Sequence, residues 1–264
     1  MRIAVLVKPV PDPTTWSELH LDENKTVIRQ GARFIINPLD KHALELALQF
    51  KDKYGGLVIA FSMAPPDAKD CLMGVLALGV DEAYLLTDPA FKGSDTLATA
   101  RVLSAALQKE GLFDLIVCGA ESADGSTAQV GPQTAVLMGS PFASFVDEAD
   151  IQEQRLVVTA DYGSYRQKMT LELPTLISVT RKINRPRTAT LMGIMAASGK
   201  SLRCLTAEDL PDLDLSGIGL NGSTTKMGKF RQSPKRTRQM LAGSTAEKAQ
   251  ELIDILRSAG KGMQ

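Results

Sequence analysis

The sequence predicts an α/β fold, an open and mostly parallel twisted sheet with helices on both faces, and three observations carry that expectation. Apolar runs of strand length alternate with helix-period segments through the first half of the chain, the pattern of successive parallel βα units. The strand runs, among them Ile3-Ala4-Val5-Leu6-Val7 and Leu57-Val58-Ile59-Ala60-Phe61, are wholly apolar, as buried strands are. With 264 residues, 44% of them hydrophobic, the chain can bury a sizeable core.

Taken in order, Ile3-Ala4-Val5-Leu6-Val7 opens the sheet. Residues 12–36 read as a polar excursion with two short extended pieces, Lys25-Thr26-Val27-Ile28 and Arg33-Phe34-Ile35-Ile36, expected to pack as a hairpin on the domain. Residues 38–54 give the clearest helix: Leu39, Ala43, Leu46, Ala47 and Phe50 share one stripe, Pro38 suits the first turn, and Gly55-Gly56 stop it. Leu57-Val58-Ile59-Ala60-Phe61 follows as the second strand, and residues 68–78 as a helix ending at Gly79. Ala83-Tyr84-Leu85-Leu86 is the third strand, Ser94-Asp95 cap a helix running to about Lys109, and Leu115-Ile116-Val117 is the fourth strand. After Pro141 the character becomes β-rich, with Arg155-Leu156-Val157-Val158-Thr159, residues 165–173 and Thr175-Leu176-Ile177-Ser178-Val179. The middle one of these partly alternates polar with apolar residues, as a strand with one solvated face does.

From about Leu205 compactness is expected to fail. Residues 210–234 hold Gly217, Gly219, Gly222 and Gly228 among scattered polar residues, and only 245–258 restores a helical pattern, through Ala249, Leu252, Ile253 and Leu256. The expected division is therefore an α/β domain over residues 1–204 and an extended arm with a terminal helix over 205–264. An arm of this kind is either disordered or laid on a partner.

Thirty basic residues balance thirty acidic ones, so no overall field favours nucleic acid or a membrane surface. Cys71, Cys118 and Cys204 are few, far apart and odd in number, which argues against a disulfide framework or structural zinc and for a reducing compartment. The N-terminus enters a strand pattern directly, without the layout of a signal peptide, and no apolar run approaches a membrane span. A cytoplasmic location is expected, or the matrix side of an organelle. His20 and His42 lack metal-ligand spacing and no Ser/His/Asp grouping is suggested, so hydrolase chemistry is not expected.

Functional signal concentrates in residues 118–132, Cys118-Gly119-Ala120-Glu121-Ser122-Ala123-Asp124-Gly125-Ser126-Thr127-Ala128-Gln129-Val130-Gly131-Pro132. Small and hydroxyl-bearing residues sit here where a strand hands over to a helix. A helix N-terminus offers unpaired N–H groups and partial positive charge, and Gly119, Ala123, Gly125 and Ala128 would let a phosphate approach the main chain. Taken alone, the composition suits an ordinary strand-to-helix loop equally well. In parallel sheets ligands sit beyond the carboxyl ends of strands, and those ends carry Lys8-Pro9-Val10-Pro11-Asp12, Asn37-Pro38-Leu39-Asp40, Ser62-Met63-Ala64-Pro65 and this loop. A cation, amide and hydroxyl groups and a helix N-terminus would meet on one rim, giving a nucleotide type of site without a catalytic constellation.

In this order the segments resemble the β subunits of the electron transfer flavoproteins over nearly the whole chain. Besides the strand ends and the loop, the similar stretches are the Ala43/Glu45/Ala47 helix, Ser94-Asp95-Thr96-Leu97-Ala98-Thr99-Ala100, Asn184-Arg185-Pro186-Arg187 and Thr190-Leu191-Met192-Gly193-Ile194-Met195-Ala196-Ala197. The resemblance implies a heterodimer with an α subunit bearing redox-active FAD, while the β subunit holds a second adenine nucleotide. In one branch that nucleotide is a structural AMP held by an Asn-Gln-Thr sequence. In the electron-bifurcating branch it is FAD, which takes hydride from NADH, and the loop reads Asp-Gly-Asp-Thr-Ala-Gln-Val-Gly-Pro. Here Ala128-Gln129-Val130 matches the FAD pattern, whereas Ser126 replaces that branch's Asp. FAD is therefore the expected cofactor and AMP the alternative, and NADH-oxidising activity is expected only if the chain bifurcates.

By matched position, the resemblance assigns Leu6, Lys8 and Pro9 to the rim, Asn37, Ser62 and Met63 to the adenine and ribose, and Gly119, Asp124, Thr127, Ala128, Gln129 and Val130 to the phosphates. For Leu6 and Val130 core packing is an equal alternative, and for Lys8 a solvated strand end. Residues 188–200 match a recognition loop in which Leu191 would anchor a partner dehydrogenase; a buried helix residue is its ordinary reading. Lys182, Arg185 and Arg187 read as contacts to the α subunit or as solvated charges, and the basic run Lys226, Lys229, Arg231, Lys235, Arg236 and Arg238 as an arm on that subunit rather than a nucleic-acid site. An ATP-pyrophosphatase-like enzyme is the remote alternative. It expects Ser-Gly-Gly-x-Asp after the first strand, where this chain has Val7-Lys8-Pro9-Val10-Pro11-Asp12.

Overall fold

In the computed structural model, which describes residues 1–12, 14, 34–226 and 238–260, strand β1 (Arg2–Leu6) is laid down first and becomes an interior strand of the sheet. A short antiparallel pair follows, β2 (Pro9–Pro11) with β3 (Phe34–Ile36), where part of the hairpin was expected; Lys25-Thr26-Val27-Ile28 lies outside the described residues. Helix α1 (Pro38–Tyr54), strand β4 (Leu57–Met63), helix α2 (Lys69–Ala77) and strand β5 (Glu82–Leu86) then extend the sheet to one side of β1, all in parallel. Helix α3 (Thr96–Glu110), capped by the Asp95 carboxylate accepting from Ala98 N at 3.0 Å, carries the chain back across to β6 (Leu115–Gly119) on the other flank of β1.

That crossing makes the gap between β1 and β6 the switch point of the strand order. Helix α4 (Val130–Leu137) leads into β7 (Phe142–Gln152), β8 (Arg155–Asp161) and β9 (Arg166–Glu172), and β10 (Thr175–Val179) returns to insert between β6 and β7. After helix α5 (Leu191–Ala197), β11 (Ser201–Leu205) closes the opposite edge, giving the order β11-β5-β4-β1-β6-β10-β7-β8-β9. Within this nine-stranded sheet, among the described residues, only the β7-β8-β9 pairings are antiparallel. The β-rich segment is thus a continuation of the same sheet.

Strand parity explains why both faces are covered. Ile3, Val5 and Val7 enter one buried layer with Ala43, Leu44, Ala47, Leu48, Leu72, Val75 and Leu76 from α1 and α2. Ala4 and Leu6 enter the other, with Val102, Leu103, Ala106, Leu107 and Ala135 from α3 and α4. Compactness does not fail at residue 205. Leu205, Leu210, Leu213 and Ile218 are buried in the second layer, and the first compact unit runs Met1–Gly228, including the short helix α6 (Gly219–Gly222). The second unit, Lys229–Gln264, holds helix α7 (Thr245–Gly260). Its start is a reciprocal cap: Ser244 N and Oγ donate to Glu247 Oε2 at 2.7 and 2.8 Å. Among the described residues no helix is long and apolar enough to cross a membrane.

Candidate functional site

The ends of β1 and β6 are joined by two buried polar side chains from the start of α1, Asn37 (1% exposed) and Asp40 (5%). Asp40 accepts from Lys8 N at 2.7 Å, from Gly119 N at 3.1 Å and from Asn37 Nδ2 at 3.0 Å. The Asn37 amide reaches the loop beyond β6, donating to Glu121 O at 2.9 Å and accepting from Ala123 N at 3.0 Å, while its own N–H donates to Lys8 O at 2.9 Å. Two side chains therefore fix three rim segments. Burial pushes the Asp40 carboxyl up to about 7, against the opposing pull of the bonds from Asn37, Lys8 and Gly119. Gly119 has to be glycine here, because an added Cβ would run into the Asp40 carboxylate and come within 2.8 Å of Leu39 Cβ.

Above this knot the Lys8 ammonium donates to Asp124 Oδ1 at 2.7 Å and to Ser122 Oγ at 3.3 Å. Burial raises the Asp124 carboxyl, but the bond and charge of Lys8 outweigh it and hold the group below the usual range. With Lys8 half exposed, the pair adds at most about 1 kcal/mol to stability. The loop then bends through Ser126 (φ 47°) and Ala128 (φ 53°), left-handed conformations that cost about 1 kcal/mol or more in a residue with a Cβ. Gln129 Oε1 accepts from Thr96 Oγ1 at 2.9 Å, which ties the loop to the first turn of α3. Gln129 precedes α4 without a side-chain capping bond, and the first turn carries no acidic residue. The first-turn N–H groups of Val130 and Gly131 are thus left without a side-chain cap, and such groups at a helix start are donors that suit an anion.

The expected residues divide accordingly. Lys8, Asn37, Gly119, Asp124, Thr127, Ala128 and Gln129 lie on the strand ends and loop at the switch point. Leu6 and Pro9 are buried, Leu6 inside the second apolar layer, and Val130 and Met63 are partly buried against that layer. Ser62 is fully buried and its hydroxyl has no hydrogen-bond partner. Leu6 and Ser62 thus support the rim from below, and contact to a ligand would run through main chain. Asp40 and Glu45 were named within their segments but given no role from the sequence. Their signal was two acids on the inner side of an amphipathic helix, where apolar residues prevail.

Leu191 lies elsewhere, on α5, and is 74% exposed with Met192, Ile194 and Met195 also exposed, so the buried-helix reading does not hold. Thr190 Oγ1 accepts from Gly193 N at 3.0 Å, and Gly193 rests on the end of α2, where a Cβ would strike Ala77 O. Upstream, Asn184 Nδ2 donates to His42 O at 2.9 Å. Arg187 donates to Glu45 through its main-chain N at 3.0 Å and Nε at 2.8 Å, and to Asp52 through Nη2 at 2.8 Å. Lys182 pairs with Asp161 at 2.7 Å. Lys182 and Arg187 are therefore engaged within the chain. Of the basic run, Lys229, Arg231, Lys235 and Arg236 lie outside the described residues.

A family model described as electron transfer flavoprotein domain matches residues 24–210. The chain is 40% identical over 261 residues, 98% of each chain, to the electron transfer flavoprotein subunit beta of Thermoanaerobacterium thermosaccharolyticum. It is 37% identical to the caffeyl-CoA reductase-Etf complex subunit CarD of Acetobacterium woodii, over 97% of this chain and 98% of that one. Protein FixA of Bradyrhizobium diazoefficiens is similar at 35% identity, over 97% of this chain and 91% of that one.

Proposed function

Because the chain belongs to the electron transfer flavoprotein family, as a β subunit serving electron transfer, we propose that its rim binds FAD and that it works beside an FAD-bearing α subunit. The observation that carries the nucleotide reading is the uncapped start of α4 facing the same switch point as Lys8, with Asp40 and Asn37 fixing the geometry beneath. FAD is preferred over AMP because Ala128 and Val130 put small or apolar side chains where the AMP pattern has polar ones, and because Gln129 is already engaged by Thr96. Bound FAD would supply hydride and single-electron transfer. The chain's own part is to hold the phosphates at Lys8 and at the start of α4, and to keep the loop's strained turn at Ser126 and Ala128 closed over them.

Relatives named as subunits of a caffeyl-CoA reductase complex and of an acryloyl-CoA reductase support an acyl-CoA-linked oxidoreductase as partner, and hydride acceptance from NADH with electron bifurcation is what the FAD reading of the loop at Ala128-Gln129-Val130 carries with it. The exposed Leu252, Ile253 and Leu256 on α7 support an arm that lies on the α subunit. Co-expression with that subunit, followed by nucleotide extraction, tests the cofactor. FAD in both subunits and no AMP is expected, and AMP in place of the second FAD overturns the FAD reading.

Leu191, Met192, Ile194 and Met195 form an apolar face on α5 suited to a docking partner. Leu191→Ala is expected to weaken partner binding about 30-fold or more, the threshold of an interface hot spot, while flavin content stays constant. Steady-state electron delivery against partner concentration reads the change. Loss of flavin in this variant would show that the residue serves the fold instead.

A further inference from the structure

We infer that Asp40 is the positioning residue of the nucleotide site and that nucleotide binding draws a proton onto its carboxyl group. The inference rests on the nucleotide reading of the rim. Its ground is geometric. The Asp40 side chain is buried, and the groups bonded to it are N–H donors: Lys8 N, Gly119 N and Asn37 Nδ2. Such a shell suits an ionised carboxylate, which accepts all three bonds. Among the described residues the one nearby side-chain cation is the Lys8 ammonium, and it is committed to Asp124 and Ser122. Asp40 is thus a buried anion held by dipoles, placed between the two strand ends on which a phosphate would sit.

A phosphate seated over Lys8 and the first turn of α4 adds a second negative charge next to that carboxylate and covers it further from water. Like charge and desolvation both favour the protonated acid. The unliganded carboxyl already stands near about 7, burial being the largest cause. The sign follows. In the bound state the group titrates higher still, so binding takes up a proton, and affinity is greatest below about pH 7 and falls as pH rises from there toward the bound-state value. Among the described residues, the other titratable groups on the segments around Asp40 are Lys8 just after β1, Cys118 from β6, and Glu121 and Asp124 from the following loop. On α1, Lys41 is exposed and His42 is bonded to Asn184. Burial, and then the Asp40 charge, push the Cys118 thiol up, so it stays protonated through this range.

The test is calorimetric titration of FAD into the full-length chain with its co-expressed partner subunit, the α subunit's FAD left in place and this chain's nucleotide removed, at pH 6 to 9 in buffers of differing ionisation heat. The pyrophosphate diester of FAD has no titrating proton in that window. A further rise of one pKa unit on binding corresponds to about tenfold tighter affinity at the acid end, with a fraction of a proton taken up per FAD near neutrality. Asp40→Asn removes the titrating carboxyl, and whatever the lost acceptor costs in affinity, its binding is expected to be flat across the range; a merely structural role would lower affinity and keep the slope. A parallel titration with AMP, wild type against Asp40→Asn, cancels that nucleotide's own titration. Should the variant fail to fold, difference infrared spectra of the wild type are expected to gain a protonated-carboxyl band on binding. Nucleotide bound equally at every pH without proton uptake overturns the role of Asp40 and leaves the nucleotide reading standing. Binding of neither FAD nor AMP at any pH overturns both.

Discussion

Gly119→Ala is expected to lose most of its bound nucleotide and about 3–5 kcal/mol of stability, a large share of the 5–15 kcal/mol that a domain commonly has. The added methyl group would collide with the Asp40 carboxylate and stand 2.8 Å from Leu39 Cβ and 2.9 Å from Asp40 N. Two of these neighbours are fixed by helix backbone and cannot rotate aside. Either the first turn of α1 or the end of β6 must move. Overpacking of this kind costs about 1–3 kcal/mol. The displaced Gly119 N–H to Asp40 bond, one to a charged acceptor, adds about 1.5–3 kcal/mol. The same shift opens the separation that Asn37 and Asp40 hold between Lys8 and the loop. Gly125→Ala is the control, since its Cβ would meet only Ser122 Oγ at 3.5 Å, an ordinary contact. Urea unfolding together with nucleotide content per protein measures both effects. Equal behaviour of the two variants would mean that the close approach of α1 to β6 does not shape the site.

Much of this could be read without coordinates, for reasons that differ by element. The βα units were legible because unbroken apolar runs sit between glycine stops, and Gly55 does end α1 with φ at 73°. Asp95 was legible as a cap because a short acceptor preceded a helical stripe. Strand β7 was not, since Asp147, Glu148 and Asp150 interrupt it and no apolar run results. Edge strand β11 was missed for a similar reason: Arg203 and Cys204 are exposed and the strand pairs on one side only. Residues 205–218 contribute single apolar anchors at irregular spacing, which no periodicity reveals, so burial there is decided by tertiary contact. The insertion of β10 between β6 and β7 is a property of the assembled sheet that local sequence does not encode.

The site shows the same division. Strand ends located Lys8, Asn37 and Gly119 at one rim, because parallel sheets place their carboxyl ends together. Strand parity then turned Leu6 into the apolar layer, a distinction that a list of rim positions does not carry. Asp40 was named with its rim segment but given no role of its own, because an acid in a first helical turn already has an ordinary explanation in the helix dipole. Only its 5% exposure and its three donors reveal a different task.

Arg187→Leu is expected to cost about 3–5 kcal/mol, and Glu45→Gln clearly less, although both break the same ion pair. The asymmetry follows from burial. The Glu45 side chain is 6% exposed and the Arg187 side chain 34%, with Asp52 as a second acceptor for the arginine. Removing the arginine strands a carboxylate inside the fold with the main-chain N–H of residue 187 as its remaining donor from that segment. Removing the carboxylate leaves a guanidinium that still holds Asp52 and meets water. The pair also fixes the path into α5, because residue 187 stands three positions before the Thr190 cap and Asn184 is bonded to His42 on the same helix α1. Arg187→Leu is therefore expected to lower electron delivery to a partner as well, by letting the segment that presents Leu191 drift from α2, while Asp40 and Asn37 at the other end of α1 keep the nucleotide rim intact. Denaturant unfolding of the two variants, with nucleotide content and partner-linked rates measured on the same samples, separates these effects. If Glu45→Gln costs as much as Arg187→Leu, burial of the acid is not what makes the pair matter, and the exposed Asp52 contact carries more of the anchoring than its geometry indicates.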